Sequence, residues 1–229
     1  MVRLNPQEYI DELTKEFKLN SNENIAAGQK AYMKDNFLFF GLKSERRREL
    51  QKPFLAKAFL PSKSEAFTII KLLWSKPERE YQLFGQELAF KYVKSFEVED
   101  IDVIEFMIAN KSWWDTVDFI AVKLVGAYLK QFPSERNRIT AKWQKSGNMW
   151  LQRSAILFQL KYKTELDAEL LSIIIKSNLG SKEFFINKAI GWILREYTRT
   201  NPQWVISFVE ENEDALSGLS KREALRLLN

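Results

Sequence analysis

The sequence predicts an all-α protein built as an α-solenoid, and three observations carry that prediction. Only 8 Gly and 6 Pro occur among the 229 residues, and they lie between segments of helical periodicity. Apolar residues in those segments recur at i, i+3, i+4 and i+7, the spacing of one helix face. Helices that end in tyrosine return at intervals of 36, 34 and 35 residues. A fixed interval of about 35 residues with two helices per unit is typical of stacked helical repeats.

Two of these helices show a long apolar stripe. Its members are Val117, Ile120, Ala121, Leu124, Val125 and Tyr128 in the first helix, and Ile186, Ala189, Ile190, Ile193 and Tyr197 in the second. The tyrosines that end successive helices are Tyr92, Tyr128, Tyr162 and Tyr197. Second helices are predicted between them, over 98–109 and 166–176. Because the spacing is regular while the residue identities are not, the pattern resembles HEAT-like repeats in an α-α superhelix. No linker or shift in composition interrupts it, so we expect a single domain over 1–229.

The absence of cysteine and histidine excludes several kinds of chemistry. Disulfide frameworks, Cys/His zinc sites and nucleophiles activated by histidine are ruled out, so acid–base chemistry must depend on Asp, Glu, Tyr or Lys. The first residues show no signal-peptide pattern, and the longest apolar stretch, near 37–42, is too short to cross a bilayer. We therefore expect a soluble protein of the cytoplasm, associated with the nucleoid if bacterial. A net charge of +5 suits an anionic partner, most commonly nucleic acid.

The segment 111–118, KSWWDTVD, holds the most unusual set of chemical groups. Trp114 and Asp118 stand at i and i+4 and are therefore neighbours on one helix face. Asp118 falls beside the apolar stripe, so its carboxylate is expected at the edge of a packed surface. The alternative is purely structural: Asp115 or Ser112 caps the helix, and both tryptophans belong to the core.

Arg153, in NMWLQRSAILFQL, stands where the helical pattern favours an apolar residue. An unpaired buried charge is costly, so this arginine must pair with a carboxylate or point to an anionic ligand. It follows Asp118 by one repeat, and stacking would bring the two onto neighbouring helices. A salt bridge between repeats and a site for an anion both stay open at this point.

Basic residues form one stripe and two short clusters. The stripe combines cations with an aromatic ring at i, i+4, i+7 and i+11, and its members are Lys188, Trp192, Arg195 and Arg199. Such a mixture suits the phosphate backbone and exposed bases of nucleic acid. The alternative is a solvated helix face with a tryptophan lying along it. The clusters at 43–48 and 221–226 are further candidates for phosphate contacts.

Several motifs in the expected order resemble the AlkD-type DNA alkylation-repair glycosylases. The matching segments are AYMKDNFLFFGLKSERRREL, WSKPEREYQ, KSWWDTVD, WLQRSAILFQLKYK, SKEFFINKAIGWILREYTRTNP and LSKREALRLL. They span nearly the whole chain. The blocks SWWD-x-VD, WLQR and FFI-x-KAIGW-x-LREY are the most specific.

The resemblance implies a HEAT-like solenoid that grips duplex DNA on its concave face. It also implies excision of N3- and N7-alkylated purines, such as 3-methyladenine and 7-methylguanine, without flipping the base into a closed pocket. Carried over by motif, Trp114, Asp118 and Trp192 form the catalytic cleft, and Arg153 holds the DNA backbone and supports Asp118. The expected DNA contacts are Tyr32, Lys43, Arg47, Lys188, Arg195 and Arg199. The expected protein acts as a monomer and uses no metal or cofactor.

Two other functions stay open from the sequence. One is a non-catalytic HEAT-like protein that binds DNA structures, although the Trp–Asp–Trp set argues against it. The other is a solenoid scaffold that binds peptides. Lys43 departs from the family pattern, because a smaller neutral residue is expected there. A cation at that position could tighten phosphate binding or disfavour a cationic base.

Overall fold

The protein is described here by a computed structural model over residues 4–228. Within those residues the regular structure is helical, apart from an isolated bridge between Leu38 and Glu78, and this confirms the all-α prediction. The chain divides into two compact units, one ending at Phe96 and the other beginning at Glu97. The single domain expected over 1–229 stays a prediction.

The N-terminal unit is built from capped amphipathic helices. They are α1 (Pro6–Leu19), α2 (Glu23–Tyr32), α3 (Ser44–Gln51), α4 (Lys63–Ser75) and α5 (Arg79–Phe90). At the start of α1, the Asn5 side chain accepts from the Glu8 N–H while the Glu8 carboxylate accepts from the Asn5 N–H. Ser62 and Glu65 form the same capping box at α4. These boxes satisfy backbone donors that a helix start leaves unpaired.

A buried carboxylate fixes the loop that precedes α3. Glu80, in the first turn of α5, is 1% exposed and accepts three hydrogen bonds of 3.1 Å from the backbone N–H groups of 40–42. Burial raises the pKa of Glu80, and the backbone donors oppose that rise. Gly41 has a φ of +85°, and a Cβ there would lie 1.9 Å from the Asn22 carbonyl oxygen, so the turn requires glycine. This arrangement sets where α3 begins and where Lys43, its N-cap residue, lies.

The C-terminal unit carries the predicted repeats. Its helices are α6 (Ile101–Ala109), α7 (Trp114–Phe119), α8 (Gly126–Gln131), α9 (Arg136–Lys145), α10 (Met149–Leu157), α11 (Ala168–Lys176), α12 (Phe184–Thr198), α13 (Pro202–Glu211) and α14 (Gly218–Ala224). A π-helical segment, Ile120–Val125, joins α7 to α8. Both predicted second helices are present, as α6 and α11. All residues of the two predicted apolar stripes are buried.

Ion pairs between successive helix pairs confirm the repeat length within the C-terminal unit. They join residues that lie 35 apart in sequence, and they are Asp118–Arg153, Lys130–Glu165, Lys161–Glu196 and Lys188–Glu223. Equivalent positions of stacked repeats face each other only when the helices pack in register. The spacing of about 35 residues between the tyrosines is therefore also the length of the structural repeat.

Three of the tyrosines that mark the repeat interval bind a backbone carbonyl 30 to 36 residues earlier, although Tyr128 lies inside α8 and Tyr162 lies beyond the end of α10. Tyr128 Oη donates to the Val98 carbonyl and Tyr162 Oη to the Gly126 carbonyl, both at 2.7 Å. Within the N-terminal unit, Tyr92 Oη donates at 2.6 Å to a backbone carbonyl 31 residues earlier. Burial raises the pKa of Tyr128 to about 12 and also raises that of Tyr162, so both hydroxyls stay protonated as donors.

Candidate active site

The Asp118 carboxylate lies at the edge of a packed surface, as the sequence predicted. It sits in the second turn of α7, directly before the π-helical segment, and its side chain is 19% exposed. π-Helical turns are rare and occur frequently at functional sites. Trp113 occupies the N-cap position of α7 and gives no side-chain cap, while Ser112 donates to the Ile108 carbonyl at 2.6 Å. The alternative in which Ser112 caps this helix is therefore wrong.

Arg153 holds Asp118 through a two-point salt bridge between repeats. Its Nε donates to Asp118 Oδ1 at 2.7 Å, and its Nη2 donates to Asp118 Oδ2 at 2.8 Å. Its Nη1 donates to the Phe185 carbonyl at the start of α12. Of the two interpretations that the sequence left open, the structure has the salt bridge. The paired geometry fixes the plane of the carboxylate as well as its position.

The burial of the two partners is unequal. The Arg153 side chain is 4% exposed, whereas that of Asp118 is 19% exposed. The buried guanidinium is therefore compensated by the carboxylate and by a backbone carbonyl. Asp118 is thus the partner of the pair that reaches the surface. Arg153 contacts Asp118 and the Phe185 carbonyl, and its contact with the DNA backbone stays a prediction.

The ionisation of Asp118 reflects a balance between burial and Arg153. Burial raises the pKa of Asp118, the hydrogen bonds and charge of Arg153 lower it, and the charge of Asp115 raises it; the net direction is upward. Removal of water from around a carboxylate disfavours its charged form, and a cation beside it favours that form. Arg153 therefore acts to keep Asp118 ionised in a position where burial acts against it.

The two predicted cleft tryptophans are half-buried. Trp114 lies one turn before Asp118 on the same face of the helix. Trp192 lies on α12, two turns after Phe185, whose carbonyl accepts from Arg153. Partial exposure leaves part of each indole ring available to a ligand. The helices that carry Trp114, Asp118, Arg153 and Trp192 all belong to the C-terminal unit.

The basic stripe of α12 is not an open row of cations, which corrects the picture drawn from the sequence. Lys188 Nζ lies 2.8 Å from a carboxylate oxygen of Glu223 on α14, and Arg195 Nη1 contacts the other oxygen. Arg199 Nε lies 3.6 Å from Glu196 Oε2 and is 63% exposed. The pattern of one helix cannot show that α14 packs onto it. DNA contacts by these three cations stay a prediction.

The predicted DNA contacts of the N-terminal unit differ in exposure. Tyr32, at the end of α2, is 69% exposed, and Lys43 is exposed as the N-cap residue of α3. Arg47 is 3% exposed, and its guanidinium donates to Gln51 Oε1 at 2.6 Å and to Glu87 Oε1 at 2.9 Å. Arg47 is thus committed to an internal network.

The exposed cations of α3 are neighbours of Arg47. Arg46 and Arg48 have side-chain exposures of 53% and 67%. They are better placed than Arg47 for phosphate contacts. A sequence pattern of three consecutive arginines cannot show which of them faces the interior.

Two contributors were not found from the sequence. Glu223 follows Lys188 by 35 residues, so the repeat interval could have revealed their pairing. Phe185 contributes a main-chain carbonyl, and a carbonyl leaves no signal in the residue types.

Neither a membrane span nor a cluster of metal-binding carboxylates occurs among residues 4–228. No helix in that range is long and apolar enough to cross a membrane. No group of three or more acidic side chains there is arranged to hold a metal ion.

Comparisons with known proteins identify the family of this chain. The family model described as "DNA alkylation repair enzyme" matches residues 13–228. A solved structure described as a predicted DNA alkylation repair enzyme from Enterococcus faecalis is 35% identical in sequence, with a TM-score of 0.84. The match covers 91% of this chain and 96% of that one. None of the curated proteins matches. The chain belongs to the DNA alkylation repair enzyme family.

Proposed function

We propose that this chain is a monofunctional DNA glycosylase that hydrolyses the N-glycosidic bond of N3- and N7-alkylated purines in duplex DNA. The family gives it a role in DNA alkylation repair, with DNA as the substrate. The observation that supports glycosylase activity is the Asp118 carboxylate, which Arg153 holds at two points and which is still partly exposed. Action as a monomer in the cytoplasm belongs to the same proposal.

The chemistry of the substrate explains why one carboxylate can suffice. An N3- or N7-alkylated purine is cationic, and when its bond to C1′ breaks, the bonding electrons move to the base, which leaves as a neutral molecule. Positive charge passes to the deoxyribose, and a fixed carboxylate beside the sugar stabilises it. Water then adds to C1′, loses a proton to Asp118 or to solvent, and leaves an abasic site. No strong general acid is needed, so a chain without histidine can perform the reaction.

The two tryptophans favour a cationic base over a neutral one. An indole ring attracts a cation placed over its face, and the attraction grows where water is excluded. Trp114 and Trp192 are both half-buried, which combines partial desolvation with access. We therefore expect discrimination against neutral lesions. Tyr32, Lys43, Lys188, Arg195 and Arg199 are proposed to contact the DNA.

The direct test is release of 7-methylguanine from methylated duplex DNA under single-turnover conditions. The Asp118→Asn variant keeps the shape of the side chain and removes its charge, and its rate should fall by at least about 100-fold. The matched control is Asp115→Asn, in the first turn of the same helix. Its rate should stay within about threefold of wild type, because removing the Asp115 charge lowers the pKa of Asp118 and so leaves that carboxylate ionised.

The outcomes separate the alternatives. Release of no base by the wild type would overturn the glycosylase proposal. Equal rates for wild type and Asp118→Asn would keep a glycosylase but remove Asp118 from its mechanism. If the wild type is inactive but its duplex affinity falls steeply with salt, the chain is the non-catalytic DNA-binding protein. Salt-insensitive binding to a peptide partner would favour the scaffold.

A further inference from the structure

Three aromatic side chains pack in a closed triangle beside the candidate active site. The ring centres of Trp113 and Trp150 lie 5.7 Å apart, those of Trp113 and Phe185 lie 5.4 Å apart, and those of Trp150 and Phe185 lie 4.9 Å apart. The planes are tilted by 41–69°, the range of edge-to-face and tilted pairs that stabilise aromatic clusters. We call these three side chains the aromatic triangle.

Each corner of the aromatic triangle stands at the start of a helix that carries a site residue. Trp113 is the N-cap residue of α7, which carries Asp118. Trp150 is in the first turn of α10, which carries Arg153. Phe185 is in the first turn of α12, which carries Trp192. The triangle therefore fixes the starting points of the three helices relative to one another.

Phe185 links the aromatic triangle directly to Arg153. Its carbonyl accepts from Arg153 Nη1, and its ring centre lies 5.8 Å from Arg153 Cζ. The other guanidinium nitrogens bind Asp118. If the start of α12 moved, Arg153 Nη1 would lose its acceptor in a buried setting, and the arginine would have to shift or take up water. Either change would disturb the carboxylate that Arg153 holds.

Trp113 adds evidence that ring packing governs this position. Its indole N–H is buried and has no hydrogen-bond partner within the described residues. A buried donor without an acceptor destabilises the folded state, and phenylalanine would avoid that penalty. The contacts that Trp113 does make are those of its ring with Trp150 and Phe185.

We infer that Trp113, Trp150 and Phe185 are positioning residues, which fix the Phe185 carbonyl, thereby orient Arg153, and thereby hold Asp118 in its reactive position. The inference rests on the proposed glycosylase function. It extends that function from the residues that would meet the substrate to a set of half-buried rings beside them.

The test compares two half-buried tryptophans in matched settings. Trp150 packs on two aromatic rings in the first turn of α10, and Trp204 packs on two aromatic rings in the first turn of α13. We expect Trp150→Ala to lower the single-turnover rate by about 10- to 100-fold, because small misplacements of reacting groups cost that much. Trp204→Ala should leave the rate within about threefold while losing comparable packing. Trp150→Phe should restore most of the rate, since it returns a ring to the triangle.

Two further measurements distinguish positioning from general damage. The affinity of Trp150→Ala for undamaged duplex DNA should stay within about twofold of wild type. The acid limb of its pH–rate profile should move to higher pH, because a weaker contact with Arg153 raises the pKa of Asp118. Equal rate losses in Trp150→Ala and Trp204→Ala would overturn the inference. So would a rate loss in Trp150→Ala with an unmoved pH profile.

A readout without activity separates this inference from the proposed function. The Arg153 Nε–H, held by Asp118, should exchange slowly with solvent in the NMR spectrum of the wild type. Trp150→Ala should speed that exchange, whereas Trp204→Ala should not. If the wild type releases no base, the proposed function fails, and the exchange measurement still decides whether the triangle holds Arg153. Unchanged exchange in Trp150→Ala would overturn the positioning role.

Discussion

Two ion pairs at equivalent positions, two repeats apart, have opposite charges as their more exposed partners. Asp118, Arg153, Lys188 and Glu223 follow one another at intervals of 35 residues and pair as Asp118–Arg153 and Lys188–Glu223. In the first pair the carboxylate is the more exposed partner, 19% against 4% for the cation. In the second pair the cation is the more exposed partner, 39% against 14%. Equivalent repeat positions thus expose a carboxylate in one pair and an ammonium group in the pair two repeats later.

The ionisation of the two carboxylates differs in the same sense. Burial raises the pKa of Asp118 despite Arg153, whereas the hydrogen bond from Lys188 lowers the pKa of Glu223, with further lowering by the charges of Lys188 and Arg195. Asp118 has one cation and a large desolvation cost, and Glu223 has two cations beside it. The carboxylate proposed to act on the sugar is therefore the one whose charge is opposed by burial, whereas Glu223, which joins α12 to α14, is held ionised by two cations.

The largest effect should follow from breaking the first pair with Arg153→Gln. Without the guanidinium, Asp118 keeps its burial and loses both causes that lower its pKa, so a larger share of it is protonated near neutral pH. We expect the rate of base release to fall by about 100-fold at pH 7. The folded state should lose about 2–3 kcal/mol, below the range for a fully buried pair because Asp118 is partly exposed.

The pH dependence of Arg153→Gln tests whether Arg153 acts by keeping Asp118 ionised. In the proposed mechanism the ionised carboxylate is the active form, so the rate should fall as pH drops through the Asp118 pKa. That limb should begin at higher pH in Arg153→Gln than in the wild type, and raising the pH toward about 9 should recover part of the rate. A rate that falls equally at every pH would show that Arg153 serves by contacting DNA rather than by holding Asp118.

Much of the C-terminal unit could be predicted because its repeats obey simple periodicities. The apolar stripes, the second helices and the Asp118–Arg153 juxtaposition all follow from the helical period and an interval of about 35 residues. The Lys188–Glu223 pair also follows that interval, but the residue pattern of α12 by itself does not show it. The burial of Arg47 and the role of the Phe185 carbonyl could not be predicted. The first depends on Glu87, 40 residues away, and the second on a backbone atom.

A smaller effect should follow from displacing α14 with Gly191→Ala. A Cβ at this position would lie 2.5 Å from Glu223 Cβ and 3.1 Å from the Ser220 carbonyl oxygen, so α14 must shift and strain the second pair. We expect a loss of about 1–3 kcal/mol in the free energy of unfolding, measured by chemical denaturation. Gly28→Ala is the control, because a Cβ there meets nothing within 4 Å. That variant should be neutral or more stable by up to about 1 kcal/mol, and a similar loss in both variants would contradict the packing argument.

The smallest change in stability and the most informative change in binding should come from Glu223→Gln. The pKa of Glu223 is lowered in the folded protein, so its pairing stabilises the fold above the unfolded pKa of about 4.3 and is lost as pH falls through the folded pKa. The variant should therefore be less stable by about 0.5–1 kcal/mol at pH 7, and this deficit should vanish in acid.

DNA binding should respond in the opposite direction, because Glu223→Gln releases Lys188 and Arg195 from their anion. If both cations then reach phosphates, affinity should rise and the plot of log affinity against log salt should steepen by up to about 1.8. Glu165→Gln, which releases Lys130 from a pair of the same spacing, is the control and should leave the slope unchanged. An unchanged slope in Glu223→Gln would mean that the cations of α12 serve only to hold α14. A steeper slope would show that the cations of α12, two repeats after Asp118, can reach phosphates.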